Sequence, residues 1–88
     1  MKIKDGFIIR QISDSYMAVP VGERTAEVHG VIALSETGAF LWKQLEEECE
    51  MENLVVSLLN EYDVDSERAK KDVSTYVDYL RSQGWLDE

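Results

Sequence analysis

The stretch "VHGVIALSETGAFLW", Val28 to Trp42, decides the architecture. Its first seven residues, Val28 to Leu34, are mostly aliphatic and carry no acid, no lysine or arginine, and no proline. That composition reads as a strand. Ser35 then stands where a helix N-cap belongs, with Leu34 before it and Ala39 after it in the positions of a hydrophobic staple. Leu41, Trp42 and Leu45 line one face of the helix that follows, and Phe40 widens it. A bare strand therefore runs into a helix with no linker between them. Gly38, in the first helical turn, costs about 1 kcal/mol relative to alanine, which implies close packing of that turn against another backbone.

Toward the N-terminus, Phe7 to Ile12 and Tyr16 to Val19 read as two further strands, joined by the polar turn Ser13-Asp14-Ser15. Pro20 has no amide to donate, so pairing of the second strand should end near it. "VGERTAEV", residues 21 to 28, reads as a loop. Arg24 has no assigned role there, and its replacement by alanine should change little.

Toward the C-terminus, Met51, Leu54, Val55, Leu58, Leu59 and Tyr62 recur at helical spacing and define a second helix. "DVD", Asp63 to Asp65, makes a tight turn, and Asp65 caps a third helix with its negative charge at the favourable end. Ala69, Val73, Tyr76, Val77 and Leu80 form the apolar stripe of that helix. Gly84 supplies its C-cap, and Trp85 and Leu86 are placed to fold back and close the core. The order is β-β-β-α-α-α. The expected fold is α+β and winged-helix-like, a three-stranded antiparallel sheet followed by three helices in a single domain of residues 1–88.

Composition narrows the function. Eighty-eight residues with 44% apolar content suffice for one modest core, with a stability of about 4–13 kcal/mol. Eighteen acids against nine bases give a net charge of −9, a surface that repels phosphate backbones and anionic lipids. Neither nucleic acid nor membrane is therefore the expected partner. No apolar run approaches the roughly 20 residues of a bilayer span, and the N-terminus lacks the apolar core of a signal peptide. The single cysteine, Cys49, and the single histidine, His29, lie on different elements and form no catalytic pair or metal set. A reduced thiol is the plainer reading of Cys49, and a cytoplasmic location goes with it. There is no glycine-rich phosphate loop and no nucleophile elbow, so the chain reads as non-enzymatic, with no cofactor.

Two binding functions remain. The second and third helices form a helix-turn-helix, and a winged-helix regulator that binds nucleic acid is the alternative reading. Against it, the bases of the third helix, Arg68, Lys70, Lys71 and Arg81, are interleaved with Glu67, Asp72 and Asp78, whereas a reader of DNA concentrates Arg and Lys. The leading reading comes from the bare strand. In a three-stranded meander the third strand lies at an edge, and Val28 to Leu34 has none of the lysines, prolines or bulges that normally protect one. Such an edge suits β-augmentation, in which an extended peptide adds as a further strand. The new ladder alone roughly breaks even, at about 0.5–1.5 kcal/mol per bond against about 1–2 kcal/mol of ordering per residue. Useful affinity therefore also requires apolar side chains of the peptide in a cleft beside the strand.

"KIKDGFIIRQI", "YMAVPVGE", "VIALSETGAFLW", "LVVSLLNEYDVD" and "YLRSQGWL" together resemble the PqqD-like proteins over nearly the whole chain. The resemblance implies a RiPP recognition element, a small domain that captures the leader of a ribosomally made precursor peptide. It also implies that the leader is presented to a maturation enzyme, often of the radical SAM type. In that family the leader pairs with the third strand and lies beside the third helix. Carried over, the ladder strand is Val28, His29, Gly30, Val31, Ile32, Ala33 and Leu34. By alternation Val28, Gly30, Ile32 and Leu34 share the inner face, where Gly30 leaves room for a peptide side chain. On the third helix Lys70, Ser74, Val77 and Arg81 form the expected contact stripe, with Lys70 and Arg81 meeting leader carboxylates. Glu50 departs from the family's usual Ser or Thr cap and should weaken the start of the second helix.

Overall fold

The structure, a computed structural model, describes residues 1–88. Three antiparallel strands form its main sheet in the order β2 (Phe7–Ile12), β3 (Ser15–Pro20), β4 (Ile32–Leu34). Three helices follow: α1 (Glu36–Gln44), α2 (Met51–Glu61) and α3 (Ser66–Gln83). The α+β architecture read from the sequence is the one observed. A second, two-stranded ladder joins β1 (Lys2–Ile3) to β5 (Leu86–Asp87), pairing Ile3 with Leu86 and so fastening the two ends of the chain together. Trp85 and Leu86 do fold back after Gly84, which sits at φ 79° in the left-handed region, as a C-cap glycine should.

Local capping accounts for the helix starts. The Gly38 amide donates to Ser35 Oγ at 3.0 Å, and the Arg68 amide donates to Asp65 Oδ1 at 2.7 Å. At α2 the backbone amide of Glu50 donates to Asn53 Oδ1 at 2.8 Å, so Asn53 supports the start that Glu50 alone was expected to weaken. The core lies between the inner face of the sheet and the helices. Trp42, Leu41, Leu45, Leu54, Leu58, Val73, Val77 and Leu80 are its largest fully buried side chains. Trp42, Phe7, Trp85 and Tyr79 extend it as an edge-to-face aromatic chain, with Phe7 5.3 Å from Trp42 and 5.9 Å from Trp85, and Tyr79 5.9 Å from Trp85.

Two expectations fail before the third strand. Residues Gly22–Ala26 form a 3-10 helix and not an open loop. Arg24 within it is not a neutral position. Its side chain donates twice to the Asp5 carbonyl, at 2.9 and 3.1 Å, pairs with Glu27 and lies 5.7 Å above the Phe7 ring. That clamp ties the crossover to the start of β2, so alanine there would strip contacts from the sheet.

The third strand is also shorter than expected. Only Ile32–Leu34 pair with β3, and Val28, His29, Gly30 and Val31 lie outside the ladder. The register matches Tyr16 with Leu34, Met17 with Ala33 and Ala18 with Ile32, so the next hydrogen-bonded pair would set Pro20 opposite Gly30. Pro20 has no amide to give, and Gly30 turns the chain at φ 88°. Val28, meanwhile, donates its amide to the Arg24 carbonyl at 3.0 Å. Proline across the sheet and glycine within the segment together cut the strand to three residues.

Candidate functional site

β4 is an edge with no hydrogen-bonded partner on its outer side. Its only sheet neighbour is β3, and no hydrogen bond from outside the sheet reaches residues 31–34. Which of its groups are free follows from alternation. The Val21 amide donates to the Gly6 carbonyl at 2.8 Å, continuing the β2–β3 register. Odd-numbered residues of β3 therefore address β2, and Tyr16 and Ala18 address β4. Ile32 and Leu34, their partners, spend their backbone groups inside the sheet. The amides and carbonyls of Val31 and Ala33 point outward. Ile32 and Leu34 direct half-buried side chains against the core, so the predicted parity holds within the three paired residues. Val31 and Ala33 are exposed on the other face.

The edge leads into a groove. Directly after Leu34, the first two turns of α1 and one flank of α3 enclose an open trough of about 590 Å³. Ser35, Thr37, Gly38 and Leu41 line one wall; Lys71, Asp72, Thr75, Tyr76 and Tyr79 line the other. Helical geometry explains the second set. Positions 71, 72, 75, 76 and 79 fall on one side of the buried stripe Ala69–Val73–Val77–Leu80, and positions 70, 74 and 81 fall on the opposite side.

The stripe expected from sequence is therefore divided. Val77 is fully buried in the core and offers no surface to a peptide. Lys70 faces α2, beside Met51, Val55 and Leu59 in a separate depression of about 450 Å³. Ser74 is exposed but does not line the trough. Arg81 is engaged by Asp78 at 3.0 Å and Glu88 at 2.8 Å. Val28, His29 and Gly30 precede the strand and do not join its ladder. The trough instead brings forward Lys71, Thr75, Tyr76 and Tyr79, none of which belongs to the expected contact stripe. Gly38 was the available signal.

Gly38 is not packed against backbone, as expected, but against the side chain of Tyr76. A Cβ on Gly38 would lie 3.4 Å from Tyr76 Cε1 and 3.0 Å from Ser35 Oγ. The Tyr76 hydroxyl donates to the Gly38 carbonyl at 2.8 Å, bolting α3 to α1 at the floor of the trough. Burial pushes this phenol well above its ordinary value of 10, and neighbouring Tyr79 adds to the shift. A phenol raised on folding stabilises the fold fully below the unfolded value, and that contribution drains away as pH climbs past 10 toward the folded value. Denaturant melts between pH 8 and 12 should thus show wild-type stability falling above about pH 10. Tyr76→Phe should show a visibly flatter decline; an identical decline would mean the phenol is not buried as described.

No group of three or more His, Cys, Asp or Glu side chains is placed to hold a metal ion. Cys49 is half-buried and burial raises its thiol, the reverse of an activated nucleophile. No helix is long and apolar enough to cross a membrane.

Comparison with known proteins bears on this arrangement. A family model described as "Coenzyme PQQ synthesis protein D (PqqD)" matches residues 21–86, which include β4, the trough and all three helices. Among solved structures, one described as "TbiB1 in Complex with the TbiA(beta) Leader Peptide" has the same fold, with a TM-score of 0.75 over 99% of this chain and 95% of that one, at 24% identity. No curated protein matches.

Proposed function

The chain belongs to the PqqD family, and from that premise we propose that it is a non-catalytic peptide-binding protein that receives a precursor leader as an added strand on β4. The observation that carries this reading is the unpaired β4 edge, with outward backbone groups at Val31 and Ala33, followed from Ser35 by an aromatic-lined trough. An extended peptide would pair with those groups and place alternate side chains against Leu41, Tyr76 and Tyr79. The likeness in fold to a protein solved with a leader peptide supports the same reading. The leader so held is presented to a maturation enzyme of the radical SAM type, which does the chemistry. The protein itself supplies position and takes no cofactor.

The winged-helix alternative is the weaker one on the same residues. Two of the four bases on α3 are already committed, Arg68 to Asp72 and Arg81 to Asp78 and Glu88, inside a domain of charge −9. Fluorescence anisotropy separates the two. A labelled precursor leader should bind and be displaced by its unlabelled form, while random duplex DNA at physiological salt should show no binding. Submicromolar, salt-sensitive binding to the duplex with none to the leader would overturn the reading.

A further inference from the structure

The trough of this acidic protein presents one cation that no ion pair engages. Its lining contains two charged residues, Lys71 and Asp72. Asp72 is satisfied by the Arg68 guanidinium, with Nε 3.2 and 3.3 Å from its two oxygens. Lys71 is exposed and makes no ion pair, not even with Glu67 one turn earlier. The other side chains of the trough are neutral. A peptide lying there meets one uncompensated cation at one end and a tyrosine pair, Tyr76 and Tyr79, at the other.

Building on the proposed function, we infer that the trough selects extended peptides carrying an acidic residue at a fixed, even spacing from a large apolar one. Tyr79 lies eight residues beyond Lys71 along α3, roughly 12 Å at the helical rise and about 80° around the axis, and Tyr76, about 140° around, lies at the floor. An extended strand covers that span in about four residues. Side chains four apart point to the same side of a strand, so one peptide face reaches Lys71 and Tyr79. The spacing follows from the two rises for a peptide lying along α3. It makes Lys71 a specificity-determining residue, whereas the backbone ladder on β4 accepts any non-proline sequence.

Display selection of a random twelve-residue library on the whole protein tests this. Peptides recovered on wild type should be enriched in Asp or Glu four positions from Leu, Phe, Tyr or Trp. In Lys71→Glu, the same positions should turn to Lys or Arg. For one selected peptide, Glu→Gln should weaken binding about two- to fivefold on wild type, the range of an exposed ion pair, and leave Lys71→Gln unaffected. Equal losses on both proteins, or selected peptides without acid enrichment, would overturn the inference. Amide exchange on the selected complexes distinguishes the layers. Protection of Ala33 without charge preference defeats the role of Lys71 alone, and charge preference without protection of Ala33 defeats the strand-addition reading on which it rests.

Discussion

Ala33→Pro is expected to abolish peptide binding while leaving the fold intact. The Ala33 amide points away from β3, so proline there takes no hydrogen bond from the sheet, and edge strands tolerate such a residue. Its neighbour Ile32, restricted by a following proline to extended backbone, is already in a strand. The incoming peptide loses a donor and is left with an unpaired carbonyl. Those terms amount to about 2–4 kcal/mol, on the order of a hundredfold in affinity. Ile32→Pro is the contrasting variant: it removes an amide spent on Ala18 and should destabilise the sheet itself. Circular dichroism should find Ala33→Pro folded with wild-type melting, and titration calorimetry should find it unable to bind the leader. Undiminished binding by folded Ala33→Pro would mean that the peptide does not use this ladder.

Trp42→Ala should remove a large part of the protein's stability. Trp42 is 1% exposed and packs edge-on against Phe7, with Trp85 6.1 Å away. Truncating such a side chain costs about 3–5 kcal/mol through lost burial and the cavity left behind. A domain of this length has about 4–13 kcal/mol in total. Urea unfolding should show a large fall in midpoint with little change in slope. A cost below about 1 kcal/mol would mean that the aromatic chain joining β2, α1 and the C-terminal segment is not the core's centre.

Features governed by neighbours in the chain were legible from the sequence. Ser35, Asp65 and Gly84 each act within four residues of themselves, and each caps its helix as its chemistry dictates. The α2 and α3 stripes were readable for the same reason, since burial repeats at the helix period. Features set by residues far apart in sequence were not. The length of β4 depends on Pro20 facing Gly30 across the sheet, and neither residue alone announces that register. The β1–β5 ladder joins residues more than eighty positions apart. On α3 the period locates the buried stripe but does not say which flank meets α1, and Lys70, Ser74 and Arg81 lie on the flank away from the trough. That choice is made by Tyr76, whose hydroxyl reaches Gly38 across 38 positions.

The central claim is strand addition at β4, and amide exchange of the whole protein with and without leader tests it most directly. The amides of Val31 and Ala33 should slow markedly when the peptide is present. Those of Ile32 and Leu34, already held by β3, should change little, as should the β2–β3 hairpin. Protection confined to α2 and α3, with Val31 and Ala33 exchanging as freely as before, would contradict the account.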